Sequence, residues 1–158
     1  MFENRKIQAI IVDDEIAKVS ILEVPDQPGI AFKLFSAIAE NDIKIDSIVQ
    51  NINRNNINDI SFIVPIEQAE IAQNISNSFS NEVGASKVIF DKSVAKISVI
   101  GSGVIINSST ASKFFKALYE IGVNIQMIST SEIKISCIID KYNVKSAMKQ
   151  IYKEFQIQ

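Results

Sequence analysis

Histidine is absent from this chain of 158 residues, and cysteine occurs once, as Cys137. The missing imidazole excludes Ser-His-Asp and Cys-His catalysis as well as histidine-ligated metals. A single cysteine cannot form an intramolecular disulfide, and without a histidine or a second thiol it cannot anchor a zinc site of the usual kinds. The chain also lacks a G-x-x-x-x-G-K-[ST] phosphate loop. Carboxylate or lysine chemistry remains open, but these absences argue against an enzyme. We predict no catalytic residues, no metal and no cofactor, with Cys137 as a small buried apolar residue.

An excess of basic charge is missing too, as are long apolar runs. The chain has 16 Lys+Arg against 18 Asp+Glu, so it offers no basic surface for a phosphate backbone. Its longest apolar runs, such as residues 7–12 with Gln8 inside, fall far short of the ~20 residues that span a bilayer. No basic start precedes a secretory core. We therefore expect a cytoplasmic globular protein that binds neither nucleic acid nor membrane.

The sequence repeats itself. Residues 17–22 (AKVSIL) recur as residues 95–100 (AKISVI), at an offset of 78. Two further segments recur at an offset of 80: 32–38 at 112–118, and 43–48 at 123–128. A loop of the second copy is therefore two residues longer.

The first copy has the pattern β-α-β-β-α-β. A β-branched alternating strand ends at the breaker Pro25-Asp26-Gln27-Pro28-Gly29, and an amphipathic helix with an apolar face then runs to about residue 42. Alternation and helical spacing predict the remaining elements. The predicted segments are strands at 17–24, 43–52, 59–65 and 86–90, helices at 30–42 and 67–80, and a polar hairpin loop at 53–56.

The second copy lacks a fourth strand. The spacing of its apolar residues predicts strands at 94–100, 124–130 and 133–140, and helices at about 109–121 and 142–155. The N-terminal segment 5–13 is a β-branched run with no place in the first copy, so we expect it to complete the second sheet. The predicted fold is α+β, two tandem ferredoxin-like modules, each a four-stranded antiparallel sheet with two helices on one face. The first module spans residues 16–92, and the second spans 93–158 together with strand 5–13.

One loop of the first copy suits a small zwitterion. Asp26 stands close to Gly29 at the start of a helix, where unpaired backbone N–H groups and the helix dipole favour an anion. A free amino acid could place its carboxylate on the N–H groups near Gly29 to Ala31, and Asp26 and Asp46 could accept its ammonium. Gln50 could add a hydrogen bond. The alternative, that the loop is only a strand-to-helix turn capped by Asp26, stays open at this point.

Four segments carry a family resemblance: residues 24–31 (VPDQPGIA), 48–51 (IVQN), 59–62 (DISF) and 124–136 (NIQMISTSEIKIS). They closely resemble the C-terminal tandem ACT region of aspartokinases, over nearly all of the chain from about residue 17. The run 129–132 is the specific part. Aspartokinases phosphorylate aspartate with ATP, and lysine, threonine or both bind their ACT domains and switch the kinase off.

The resemblance implies a regulatory role for this chain and names the residues of an effector pocket. It implies feedback inhibition by lysine and/or threonine, a homodimer through the ACT modules, and an aspartokinase catalytic domain or subunit as partner. The implied pocket residues are Asp26, Gly29, Ile30, Ala31, Lys44, Ile45, Asp46 and Gln50 from the first copy, and Asn124, Ile125, Thr130 and Ser131 from the second.

Two departures from the family pattern bear on function. No kinase domain precedes the ACT region in this sequence, so we expect a cut fragment or a separate regulatory subunit without catalysis of its own. The second-copy loop, where the family usually has His-Pro-Gly, reads Asn107-Ser108-Ser109-Thr110, and its serines are predicted to cap the following helix. This leaves open whether the second site holds a ligand. The alternatives are a stand-alone amino-acid sensor and a dimerisation module whose pockets have decayed.

Overall fold

The computed structural model describes residues 7–52, 55–101 and 107–157. Two short 3-10 turns, Ile66–Gln68 and Lys141–Asn143, lead into the second and fourth helices. Within the described ranges, no helix combines the length and the apolar character that crossing a bilayer requires. The strands are β1 (Ile7–Asp13), β2 (Ile16–Pro25), β3 (Ile48–Ile52), β4 (Ile57–Pro65), β5 (Lys87–Asp91), β6 (Val94–Gly101), β7 (Met127–Thr130) and β8 (Lys134–Asp140), and the α-helices are α1 (Ile30–Glu40), α2 (Ala69–Val83), α3 (Ser108–Glu120) and α4 (Val144–Glu154).

The chain divides into two compact units. The first unit is Glu15–Lys92, and the second joins the N-terminal segment through Asp14 with the chain from Ser93 onward. Each unit has one four-stranded antiparallel sheet, in the order β3-β4-β2-β5 in the first and β1-β6-β8-β7 in the second. Each unit also holds two α-helices, so the predicted α+β class with tandem ferredoxin-like modules is confirmed.

The core of the first unit lies between its sheet and its helices. Ala17, Val19 and Ile21 alternate along β2 and are fully buried, because successive side chains of a strand point to opposite faces. Leu34 and Ile38, one helical turn apart on α1, pack into the same cluster. Burial of this apolar surface, at about 25 cal/mol per Å², supplies the main driving force that holds the module together.

In the second unit, β1 occupies the sheet edge beside β6. The two strands are antiparallel, with Val12 opposite Ile97, and β1 has the same place beside β6 that β5 has beside β2. Ile10 and Val12 pack against the buried cluster of this unit. The fourth strand of the second sheet thus comes from before the first unit in the chain. Residues 5 and 6 of the expected strand 5–13 lie outside the described residues.

The two units share internal details that follow from the sequence repeat. Ser20 and Ser61 lie opposite each other on β2 and β4, and their hydroxyl oxygens are 2.8 Å apart. Ser98 and Ser136 form the equivalent pair on β6 and β8, with their hydroxyl oxygens 2.7 Å apart. Because each hydroxyl can donate and accept, the pair satisfies polar atoms that are largely buried.

Several predicted boundaries were wrong. The strands expected at 43–52 and 124–130 begin only at Ile48 and Met127, because the chain first turns back on the helix that precedes each of them. Ile43 N donates to Ile38 O at 3.3 Å and Val123 N to Leu118 O at 3.0 Å, which buries both side chains in their cores. Helix α2 starts later than expected and runs to Val83, where Gly84 ends it in a left-handed conformation with φ 72°. Asn53 and Arg54 of the expected hairpin loop lie outside the described residues.

Candidate functional site

A small cavity lies in the first unit where β2 passes into α1. Its volume is about 180 Å³, below the ~300 Å³ at which drug-sized pockets begin, so it suits a ligand of few heavy atoms. The wall consists of the β2–α1 loop, the first turn of α1 and side chains of β3 and β4. The lining residues are Val24, Pro25, Asp26, Gln27, Gly29, Ile30, Ala31, Phe32, Gln50, Asn58 and Ile60.

The start of α1 presents unpaired donors to this cavity. Gly29 precedes the helix with φ 90°, a left-handed conformation that glycine adopts readily, and no side chain caps the helix. Ile30 N donates to Gln27 O at 3.3 Å, and the backbone N–H groups of Ala31 and Phe32 have no hydrogen-bond partner within the described part of the chain. The first turn of α1 carries no acidic residue. The positive end of the helix dipole is therefore free to receive an anion.

Asp26 supplies the negative charge of the cavity. Its backbone N–H donates to Asn56 O at 2.8 Å, and its Oδ1 accepts a hydrogen bond from Asn58 Nδ2 at 3.0 Å. It makes no capping bond to α1, so the expected cap was wrong, whereas the strand-to-helix turn of the same alternative is present. A carboxylate at this position can accept hydrogen bonds from the cationic group of a ligand.

Gln50 borders the same cavity from β3. It lies directly opposite Ile60 of β4, which is buried, while the Gln50 side chain itself is exposed. An amide can both donate and accept, so it suits either end of a zwitterion. The structure thus brings together five of the expected site residues: Asp26, Gly29, Ile30, Ala31 and Gln50.

Lys44, Ile45 and Asp46 do not line this cavity. They follow the far end of α1, an 11-residue helix whose length is roughly 16 Å at 1.5 Å per residue. Lys44 N donates to Gln68 Oε1 at 2.9 Å, Ile45 packs against the core, and Asp46 N donates to Ile63 O at 3.1 Å. Asp46 therefore stands at the other end of α1 from Asp26.

Comparisons with known proteins identify both units. The ACT-domain family matches residues 19–78 and again residues 97–155. Solved aspartokinase alpha and beta subunits share 35% identity with this chain at a TM-score of 0.89, covering 96% of it and 100% of the matched subunit. The regulatory subunit of aspartate kinase from Thermus thermophilus, in its ligand-free form, shares 31% identity at a TM-score of 0.88, covering 94% of this chain and 98% of that one.

The chain belongs to the aspartokinase family. It corresponds to the ACT-domain regulatory region of that family, as the resemblance over nearly all of the chain from about residue 17 implied. The aspartate kinase of Pseudomonas fluorescens (strain SBW25) is 37% identical over 155 residues, which are 98% of this chain and 38% of that protein. The chain thus spans little more than a third of the length of this curated aspartokinase relative.

The second ACT domain of this aspartokinase region differs from the first at the start of its first helix. Asn107 is the N-cap of α3, and its Oδ1 accepts a hydrogen bond from Thr110 N at 3.0 Å. The expected serine caps were therefore wrong, because Ser108 and Ser109 are the first residues of the helix itself. The loop equivalent to residues 24–28 falls largely on residues 102–106, outside the described residues. At the start of α3, the backbone N–H of Thr110 is thus occupied by the Asn107 side chain, whereas no side chain of the described residues occupies a backbone N–H at the start of α1.

The expected site residues of the second ACT domain lie at two places within it. Asn124 and Ile125 follow α3, and Ile125 packs against the core of its unit. Thr130 ends β7, opposite Ile135, and Ser131 N donates to Lys134 O at 2.8 Å in the turn to β8. Thr130 and Ser131 are exposed in this aspartokinase chain.

Sequence reasoning missed Asn58 as a lining residue of the aspartokinase ACT cavity. This asparagine sits on β4 between Ile57 and Asp59 and has only 3% of its surface exposed. A signal was present, because asparagine is depleted in strands and a buried position normally takes an apolar residue there. An asparagine at a position that alternation assigns to the buried face of a strand therefore indicates a polar contact inside the protein.

Proposed function

We propose that the cavity of the first ACT domain binds a free α-amino acid as a regulatory effector. The carboxylate lies on the unpaired N–H groups of Ala31 and Phe32, and the ammonium lies beside Asp26. The observation that carries this proposal is an uncapped helix start and an acidic side chain lining one small cavity. A zwitterion matches both charges at once, and charge-assisted hydrogen bonds of this kind are about twice as strong as neutral ones.

The effector is lysine, threonine or both, and its binding inhibits aspartate phosphorylation by the aspartokinase to which this region belongs. The support is the membership of the chain in the aspartokinase family and its similarity to a regulatory subunit of aspartate kinase. Coupling between an effector site and a catalytic domain is usually worth ~1–3 kcal/mol, which gives about 5- to 150-fold control. Sub-millimolar binding requires only about 5–6 kcal/mol, which a few charge-assisted hydrogen bonds can supply.

The partners of the proposed function are an aspartokinase catalytic domain or subunit and a second copy of this chain. A homodimer through the ACT domains is the arrangement implied by the family resemblance, and a cytoplasmic location is proposed from the short apolar runs of the sequence and from the lack of a basic start before a secretory core. Contacts of the effector with Asn124, Ile125, Thr130 and Ser131, and with Lys44, Ile45 and Asp46, are proposals that rest on the same resemblance.

Isothermal titration calorimetry and thermal unfolding with each of the twenty amino acids test the proposal. At a hundredfold excess over its dissociation constant, an effector adds about 2.7 kcal/mol to the free energy of unfolding, which is several degrees in melting temperature for a protein of this size. We expect lysine or threonine to produce this shift and a measurable heat. If none of the twenty does so, the effector role is wrong and a dimerisation module with decayed pockets becomes the better description.

A stand-alone sensor that acts on another kind of partner gives the same binding result. Reconstitution separates the two: with an aspartokinase catalytic subunit present, we expect the effector to lower the rate of aspartate phosphorylation. A bound effector without any effect on that rate would favour the stand-alone sensor.

A further inference from the structure

Asn58 carries a buried acceptor that has no partner. Its side chain is 3% exposed, and its Nδ2 donates to Asp26 Oδ1 at 3.0 Å. Its Oδ1 is buried and, within the described part of the chain, accepts no hydrogen bond. Because an ionised carboxylate only accepts hydrogen bonds, the nitrogen of the amide must face Asp26. The orientation of the amide is therefore determined, and its oxygen is the unpaired atom.

An unpaired buried oxygen destabilises the free protein, and most buried polar atoms in folded proteins have a partner. Asn58 is a lining residue of the cavity beside α1, so a molecule in that cavity is a source of a donor for this oxygen. The two sides of the cavity differ in the hydrogen-bonding groups that they present. The start of α1 offers only donors, whereas Asp26 and Asn58 Oδ1 together offer only acceptors.

We propose that Asn58 is a specificity-determining contact of this cavity, whose Oδ1 accepts a hydrogen bond from the α-ammonium of the bound amino acid. This inference rests on the proposed effector function and names the group that the site recognises. Nδ2 of the same amide holds Asp26 in place, so the ammonium meets one carboxylate and one carbonyl oxygen. A 2-oxo acid would set its own carbonyl oxygen against these acceptors, and a site built for a donor rejects a ligand that lacks it.

The chain offers a matched control. Ser76 Oγ, in α2 of the same unit, is also buried without a hydrogen-bond partner among the described residues. Ser76 does not line the cavity. Removing its hydroxyl therefore tests the effect of an unpaired buried oxygen on folding without touching the ligand.

The experiment compares wild-type protein with Asn58→Leu, Asn58→Thr and Ser76→Ala, by calorimetry with lysine and with threonine and by melting without ligand. Leucine has a similar shape and no polar atom, and threonine keeps a hydroxyl that can accept. We expect Asn58→Leu to raise the dissociation constant about tenfold or more while the free protein stays folded. We expect the dissociation constant of Asn58→Thr to lie between those of wild type and Asn58→Leu. We expect Ser76→Ala to bind with the affinity of wild type.

Analogues of the two ligands test which ammonium is recognised. 3-Hydroxybutanoate is threonine without its α-ammonium, and 6-aminohexanoate is lysine without its α-ammonium but with its distal one. Wild-type protein should bind each analogue more weakly than its parent, and the loss should shrink in Asn58→Leu, because the acceptor is already gone. If 6-aminohexanoate binds wild type like lysine, the site reads the distal ammonium and the inference is wrong.

The failures of the two proposals are distinguishable. Wild-type protein that binds no amino acid overturns the effector function and this inference with it. If wild-type protein and Asn58→Leu bind an amino acid with equal affinity, only the role of Asn58 is overturned. If Asn58→Leu fails to fold, Asn58→Thr and the analogue series on wild-type protein decide the question.

Discussion

Asp26 is the residue on which the chemistry of the cavity depends. It lies close in sequence to Gly29, and both residues line the same cavity at the start of α1. Its carboxylate is held by Asn58 from the neighbouring strand. A charged group positioned in this way needs little further ordering when a ligand arrives, which favours binding.

Asp26→Ala should weaken binding of the effector tenfold or more, because it removes the charge that faces the ammonium. Titration calorimetry measures this change. Glu70→Ala is the matched control, since it removes an exposed carboxylate on α2 of the same unit that lies outside the cavity and is not an expected site residue. A loss of affinity in Glu70→Ala equal to that in Asp26→Ala would contradict the placement of the site.

Cys137 shows a residue whose environment removes its reactivity. It lies on β8 between Ile97 of β6 and Ile128 of β7, and it is fully buried, as the sequence predicted. Desolvation by burial raises the pKa of its thiol to about 12. The thiolate, which is the reactive form, is therefore not populated near neutral pH in the folded protein.

We expect a thiol reagent at pH 8 to leave the native protein unlabelled and to label the denatured protein fully. Any slow labelling under native conditions should occur through unfolded molecules, so its rate should follow the rate of unfolding. This thiol should not affect stability below its ordinary pKa near 8.5, and stability should fall as the pH rises from there toward 12, because the unfolded chain then releases a proton that the folded chain retains. Rapid labelling of native protein at pH 8 would contradict the burial of Cys137.

At the scale of elements, the two first helices of the repeat differ at their starts. Helix α1 begins after a left-handed Gly29 with no side-chain cap, whereas Asn107 caps α3. A capping side chain accepts from one of the N–H groups that an anion would otherwise bind. The duplicated fold therefore presents an open helix start in the first unit and a self-capped one in the second.

Asn107→Ala should lower the free energy of unfolding by ~1 kcal/mol, which is the usual cost of losing a cap. Denaturant unfolding measures this change. Asn143→Ala provides the control, because Asn143 is the N-cap of α4 but makes no capping bond with its side chain. Equal losses in the two variants would show that the bond from Thr110 to Asn107 contributes little.

At the scale of the whole molecule, each chain carries two ACT domains of the same topology with unlike helix starts. We expect calorimetry to give one effector per chain, since only the start of α1 combines free donors with the acceptors of Asp26 and Asn58 in a described cavity. Asp26→Ala should remove this single binding event. A stoichiometry of two per chain would show that the second domain also binds the effector.

The fold class and the family could be predicted from the order of residues alone. The internal repeat and the alternation of apolar residues in segments such as 17–22 are local patterns, and local patterns suffice where strands and helices bury one face each. The resemblance carried by residues 24–31 and 124–136 was confirmed as aspartokinase membership. Element ends were predicted less well, because turns such as those at Ile43 and Val123 depend on burial against a helix that lies earlier in the chain.

The contacts between polar groups became known only from the folded chain. The sequence could not show that the carboxylate of Asp26 accepts a hydrogen bond from Asn58, 32 residues away, instead of capping α1. Likewise, Asp26 and Asp46 were both expected to face the ammonium of a ligand, but they lie near opposite ends of α1. Periodicity reports which face of an element is buried, whereas the partner of a side chain depends on strand register and on the path of the chain between elements.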